Sequence, residues 1–365
     1  MIRLFCFISI YLITCLLSSQ NQYVKNENET ISFFNQDEII NLIISGVKEF
    51  PNNTQLSIAY IKNGETEYFG IVKQNDSIKF IENRDKIFEI GSITKVLTAT
   101  VLASLVKEGK IKLTDTVNHF YPFTFNKNSV LTFQSLANHS SGLPRLPSNL
   151  IFLDQSNPYK HYNKNYLENY LSNIIEVKNE NKNNYTYSNL GFAVLGFTLG
   201  LSQGKDFEQL LQEKVLDKYN MNQSYIGINQ SINKNLVKGQ DAKGLITPNW
   251  DFNIFFGAGG VLSTAEDLSK FAQAQFDKQN CELTLTRIPT FTANQDMKIG
   301  LGWHILKMQN GNDLFTHNGG TGGYSSSILV NVEDHTAVIV LSNVSAFHPN
   351  SGNIEQISFK IMSSL

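Results

Sequence analysis

The stretch Ser92–Val106 constrains this chain more than any other. Val96, Leu97, Ala99, Val101, Leu102, Ala103, Leu105 and Val106 spread over nearly the whole circumference of a helix. A helix that is apolar all round has to be buried on every side, so the fold must supply protein around it in all directions. The chain can do this, because 41% of its 365 residues are hydrophobic and only 17% are charged, a composition that favours a packed core over disorder. Such a length allows one large or two smaller globular units. Lys95 is the exception in the run. An ammonium buried without a partner is costly, so it must be paired or partly neutralised.

The two ends of the chain read differently from its middle. Arg3 followed by an apolar run from Leu4 to Leu17 and then Ser18-Ser19 has the form of an export signal over 1–19. A retained anchor is the competing reading, although a bilayer span needs ~20 apolar residues. Cleavage removes Cys6 and Cys15 and leaves Cys281, which alone closes no internal disulfide. Residues 20–35 are polar and Asn-rich, a linker. A helix is predicted over Asp37–Phe50, and strands over Leu56–Ile61 and Thr66–Val72 with Asn63-Gly64 at the hairpin turn. Thr132 caps a helix that Gly142-Leu143-Pro144 stops, another helix covers Asp206–Leu216, and Ser263-Thr264-Ala265-Glu266 reads as a capping box. Strands follow at Gly302–Lys307, Leu314–His317, Ser326–Val330 and Ala337–Leu341, then a helix over Ile354–Met362. The expected class is therefore α+β. One domain over 36–365 would join an α/β lobe, 36–90 and 290–365, to an inserted and mostly helical lobe, 91–289.

Ser92-Ile93-Thr94-Lys95 opens the apolar helix. Residues three apart share a helix face, so the hydroxyl and the amine point into one space, and the helix N-terminus favours an oxyanion nearby. A nucleophilic serine activated by an amine fits these residues. The pattern alone is weak, because S-x-x-K also occurs at Ser45, Ser104, Ser202 and Ser231. Only Ser92 follows a glycine and opens a buried helix. Tyr187-Ser188-Asn189 offers a phenol for proton transfer and an amide for a substrate carbonyl, or else a tyrosine at a helix start. His317-Asn318-Gly319, followed by Gly320-Thr321-Gly322-Gly323, offers an imidazole and close backbone approach at a strand edge, or else an ordinary glycine-rich hairpin.

In the order S-x-x-K, Y-x-N, H-x-G, these elements resemble the serine β-lactamase and penicillin-binding-protein superfamily. The resemblance is to its branch of class C β-lactamases, D-alanyl-D-alanine carboxypeptidases and related esterases. Leu136–Pro144, Gly259–Leu268 and Gly300–Trp303 resemble further segments of that branch, so the likeness runs from about 55 to 345. It implies the β-lactamase/transpeptidase-like fold, with a central antiparallel sheet flanked by N- and C-terminal helices, and an acyl-enzyme on Ser92. Lys95 and Tyr187 would share the proton, and Asn189 would hold the substrate amide and orient Lys95. His317 would line the opposite wall and give electrostatic support. The Ser92 and Gly320 N–H groups would form the oxyanion hole, and Asn318, Gly319 and Thr321 would bind substrate.

The third element departs from the K-T-G that class C enzymes mostly carry. With Asn318 in place of the usual Thr and few arginines in the chain, Arg287 is the expected carboxylate clamp. The expected activity is hydrolysis of D-amino-acid peptides or β-lactams. The alternatives are a carboxylesterase on the same machinery or a non-hydrolytic module that binds penicillin or cell-wall peptide. Specificity would sit in loops such as 145–180 and 225–258. The other histidines, at 119, 139, 161, 304, 335 and 348, show no metal-ligand spacing and read as structural or exposed. No cofactor and no metal are expected. The partner would be a small-molecule or peptide substrate; pI ≈ 6.4 and a net charge of −2 speak against nucleic acid. A secreted or periplasmic monomer with no stable membrane span is the expected state.

Overall fold

A computed structural model describes residues 36–75, 77–177, 184–228 and 232–365. The expected export signal and linker lie outside them, and among the described residues no helix is long and apolar enough to cross a membrane. In chain order the elements begin with α1 (Gln36–Val47), β1 (Gln55–Lys62), β2 (Glu65–Gln74), β3 (Ser77–Phe80), β4 (Phe88–Glu89) and α2 (Thr94–Lys107). The middle holds α3 (Phe133–Ala137), α4 (Lys164–Asn169), α5 (Asn189–Gln203), α6 (Phe207–Leu211), β5 (Tyr225–Ile226), α7 (Phe256–Gly259), β6 (Val261–Ser263), α8 (Ala265–Ala274) and α9 (Cys281–Arg287). The chain closes with β7 (Phe291–Thr292), β8 (Met297–Ile299), β9 (His304–Lys307), β10 (Asp313–Gly320), β11 (Ser325–Asn331), β12 (Thr336–Ser342) and α10 (Asn353–Ser364).

Nine of these strands form one antiparallel sheet in the order β3-β2-β1-β12-β11-β10-β9-β8-β7. The first and last strands of the chain therefore meet in its centre, with Ile58 opposite Val340. Alternation at period two sends Leu56, Ile58, Tyr60, Val338 and Val340 to one face, where α1 and α10 add Ile39, Ile43, Ile357 and Ile361. Ala59, Ile61, Ile328, Ile339 and Leu341 face the other way, into the larger core around α2. The fold is α+β, and every residue of β11 and β12 is buried because both faces are covered. A small sheet, β4-β6-β5, braces the chain just ahead of α2.

Local chemistry sets the boundaries. Asn63 and Gly64 both adopt positive φ, 53° and 82°, as a two-residue hairpin turn requires. Thr132 caps α3 by accepting from Ser135 N while the Ser135 hydroxyl accepts from Thr132 N. That helix ends at Ala137, earlier than Gly142, because Asn138 Oδ1 takes the Ser140 N–H and His139 turns to φ 61°. The cap of α8 is Thr264, which accepts from Asp267 N. Ser263 instead ends β6, its hydroxyl committed to Ser224 at 2.8 Å, so the expected box is shifted by one residue. The predicted helix over Asp206–Leu216 is present as α6 continued by a π-helical turn over Gln212–Leu216.

Helix α2 is buried from Thr94 through Leu105, with α5, α7 and α9 against it. Its low charge and missing polar face follow from that position. Leu102, fully buried, is expected to cost about 2–5 kcal/mol when cut to Ala. The urea midpoint should fall at an unchanged m-value, and a loss below about 1 kcal/mol would contradict burial on all sides.

Candidate active site

The chain enters α2 through a 3-10 turn, Gly91–Ile93, with Gly91 at φ +50°. A Cβ on Gly91 would stand 2.5 Å from the Gly320 amide nitrogen, and one on Gly319 2.0 Å from Ile90 O. Both glycines are needed because the end of β10 lies against the turn that carries Ser92. This close approach puts Ser92, Asn318, Gly319 and Gly320 on one cleft of about 800 Å³.

Lys95 sits on the next turn of helix, fully buried. Its Nζ lies 2.9 Å from Ser92 Oγ and 2.7 Å from the Ala258 carbonyl, and 5.0 Å from the Tyr187 ring centroid. Burial holds its pKa well below the ordinary lysine value, and the nearby Arg145 guanidinium adds to the effect. Tyr187 comes from the segment leading into α5, whose N-cap Ser188 accepts from Gly191 N. Burial pushes the phenol up, partly offset by a hydrogen bond with the Ser92 side chain. The amine is thus driven toward its neutral form and the phenol kept protonated.

Asn189 also lines the cleft. Its Nδ2 meets the Tyr159 hydroxyl at 3.2 Å, and its Oδ1 is buried without a partner. Ser92 and Ala258, with Asn189 absent from the pair, hold the Lys95 amine, so the expected orienting contact is not made. His317 is buried on β10, its ring 6.2 Å from that of Tyr187. Burial first, then His304 and Lys95, hold its pKa well below the usual value against the raising effect of the Asn318 carbonyl. A neutral ring 2.6 Å from that carbonyl through Nδ1 carries its proton there. Nε2, buried and unpartnered, is then a bare acceptor. The expected electrostatic support from His317 is corrected accordingly, since a neutral ring brings no positive charge.

Two further expectations change. Thr321 is fully buried and absent from the cleft lining, its hydroxyl near Gly323 N at 3.4 Å. It lies one residue past the strand end, where the turn folds beneath the floor, and so does not reach substrate. Arg287 lies on α9 with its guanidinium 5.6 Å from the Phe315 ring and hydrogen bonds to Leu283 O and Thr284 Oγ1. It is outside the cleft. Arg145 is the guanidinium on the lining, 5.1 Å over the Tyr187 ring.

Several site residues went unrecognised in the sequence. His304 stacks on His317 at 5.0 Å and 16°, hydrogen-bonds the Tyr185 hydroxyl at 2.9 Å and lines the cleft. Burial lowers its pKa to about 4. His139 accepts the Ser188 N–H at Nδ1, and its ring packs 4.5 Å from Tyr187, fixing the phenol. Its place within Leu136–Pro144 was the available signal. Tyr159, Trp250 and Phe252 pack together in a wall drawn from the two loops expected to carry specificity.

The model of the family described as Beta-lactamase matches residues 48–357. The chain belongs to the beta-lactamase family. Within that family it is 22% identical over 281 residues to a beta-lactamase of Pseudomonas fluorescens, covering 73% of this chain and 74% of that protein. It is 25% identical over 291 residues to the D-alanyl-D-alanine-carboxypeptidase/endopeptidase AmpH of Escherichia coli strain K12, covering 72% and 70%. A solved class C beta-lactamase superposes with a TM-score of 0.76 at 20% identity, over 90% of this chain and 96% of that one. That likeness places the fold among β-lactamases and penicillin-binding proteins.

Gly91→Ala should both destabilise the protein and part Ser92 from Gly320, since an L side chain at φ +50° is strained and its Cβ meets the Gly320 amide. The expected result is a lower melting temperature with fluorophosphonate labelling of Ser92 slowed ~10²-fold; labelling at the original rate would contradict the geometry. Buried imidazoles also set a pH dependence. The unfolded chain binds protons on His139, His304 and His317 near pH 6.5, whereas the folded chain resists them, His304 down to about 4. Stability therefore rises with pH across that window. Urea unfolding at pH 4.5 and 6.5 should show the rise, and His304→Gln should reduce its slope.

Proposed function

We propose that the chain is an exported, monomeric serine hydrolase that forms an acyl-enzyme on Ser92. The observation that carries this reading is the 2.9 Å contact between Ser92 Oγ and a Lys95 amine whose burial favours the neutral form. With Lys95 neutral, the serine proton is shared toward Nζ while Ala258 O accepts one of the amine's own hydrogens. Attack of Oγ on a substrate carbonyl carbon would send that proton to Lys95. The Tyr187 phenol, kept protonated by burial, is suited to hand a proton to the departing amine or alkoxide and to recover one from Lys95. The N–H groups of Ser92 and Gly320 would hold the oxyanion, a donor pair for which loss of one member typically costs ~10²–10³ in rate. Water would then cleave the ester on Ser92. Asn189 Oδ1, a buried acceptor without a partner on a residue that lines the cleft, would suit a substrate amide N–H that reached it.

D-amino-acid peptides or β-lactams are the leading substrate class, by likeness to the β-lactamase and carboxypeptidase relatives. One observation favours a second reading, a carboxylesterase on the same machinery. Strand β10 gives the cleft the amide of Asn318 and keeps a neutral His317 buried off the lining, and Arg287 lies away from the cleft. A substrate carboxylate beside β10 would find no cation there, whereas an uncharged ester needs none. The guanidinium on the cleft lining, that of Arg145, stands at the Tyr187 side.

Labelled penicillin or a fluorophosphonate is expected to add one covalent adduct at Ser92, and Ser92→Ala to abolish it. Labelling at another serine, or none, would overturn the acyl-enzyme. Turnover of nitrocefin, a D-Ala-D-Ala peptide and p-nitrophenyl acetate, measured side by side, ranks the substrates. An adduct that persists with no turnover of any of the three would convert the reading to a binding module.

A further inference from the structure

Glu89 is a buried acid that the chemistry above does not use. It lies three residues ahead of Ser92 on β4, only 4% exposed. One oxygen, Oε1, accepts from Asn249 Nδ2 at 2.7 Å and from the Trp250 backbone N–H at 2.9 Å. Oε2 is buried without a partner at hydrogen-bond geometry. Burial raises the carboxyl's pKa, opposed by the Thr321 side chain, Asn249 and the Trp250 amide. The carboxyl thereby ties the strand that leads into the Ser92 turn to the 249–250 loop.

The pieces it touches also hold one another. Asn249 Nδ2 meets the Tyr324 hydroxyl at 3.0 Å, and that hydroxyl donates to Val237 O at 2.6 Å. The Trp250 indole lies over Gly322, where a Cβ would come within 2.7 Å of Nε1. A buried acid whose removal leaves two donors stranded is expensive to lose. Phe88, its neighbour on β4, packs into the apolar core.

We propose that Glu89 is a positioning residue for the oxyanion hole. Its Oε1 pins the 249–250 loop to the strand that delivers Ser92, and the Trp250 indole, lying against Gly322, in turn holds the turn after Gly320 and fixes the Gly320 N–H against the nucleophile. The kinetic part of this rests on the acyl-enzyme reading, and the exchange part does not.

The test compares Glu89→Ala, Glu89→Gln and Glu89→Asp in the full chain. Hydrogen exchange at the Trp250 amide and across 319–323 should be at least ~10-fold faster in Glu89→Ala, because the Oε1 acceptor is gone. Glu89→Gln keeps a carbonyl oxygen in that position and should recover most of the protection. On p-nitrophenyl acetate, Glu89→Ala should lower kcat by ~10–10²-fold and leave KM within a few-fold, the mark of an interaction felt in the transition state. Glu89→Gln should recover most of that loss, and Glu89→Asp should show a smaller loss of the same kind. Unchanged exchange at Trp250 in Glu89→Ala would overturn the proposal. So would a rise in KM with kcat unaffected, or Glu89→Gln as impaired as Glu89→Ala. If the wild type turns over no ester at all, the acyl-enzyme reading fails, while the exchange arm still decides the role of Glu89. Should Glu89→Ala not fold, Glu89→Asp, which draws the carboxyl back by one methylene, decides it: faster exchange at the Trp250 amide and across 319–323 supports the clamp, and unchanged exchange overturns it.

Discussion

A lysine amine with no exposed surface, held between a serine hydroxyl and a backbone carbonyl, is the contact on which the rest of this molecule turns. Removing an ammonium from water costs several kcal/mol unless it is paired, and no carboxylate lies against Lys95 among the partners it has. The fold resolves this by favouring the neutral amine, which needs only an acceptor for its hydrogens and a donor for its lone pair. Ala258 O accepts from it, as does Ser92 Oγ, and the serine hydroxyl would become the donor in the proposed proton transfer. A helix buried on every side is what allows it, since a solvated face on α2 would let water restore the charge. The central sheet, the layer of α5, α7 and α9, and the glycines that let β10 touch the Ser92 turn can all be understood as the surroundings such an amine requires.

The same exclusion of water acts on the groups around it. His139, His304 and His317 form a cluster in which each ring is driven toward neutrality by burial and by its neighbours. A cleft of this kind offers dipoles and lone pairs, with net charge confined to Arg145 at one side and Glu355 on the lining. Oriented N–H groups are worth more in such surroundings than in water, so small displacements of the strand end matter more than its side chains do. That gives weight to a buried acid three residues upstream of the nucleophile.

The fold was legible in the sequence wherever one periodicity ruled. Strands β1, β2, β11 and β12 follow their alternation to within a residue or so, and Asn63-Gly64 takes the turn its chemistry demands. Legibility failed where a polar side chain had two available partners. Ser263 could have capped α8 but was taken by Ser224, and α3 ended early because Asn138 captured a backbone amide. Spacing along the chain carries no information about which of two nearby hydroxyls a distant residue will claim.

At the site, motif residues were readable because each combined a reactive group with backbone chemistry that explained its place. Ser92 was marked by Gly91, and His317 by the glycines after it. The residues that shape those groups had no such mark. His139 and His304 are separated in sequence yet both pack around Tyr187, and their effect is electrostatic, visible only once distances exist. Arg145 and Arg287 show the same limit from the other side. Either guanidinium could have faced a ligand, and burial decided between them: one is spent on Phe315 and its own helix, and the other is left over the phenol. Among the described residues of the cleft lining, Arg145 is the one cation. In this cleft it stands over the Tyr187 ring, and Asn318 on β10 adds only an amide.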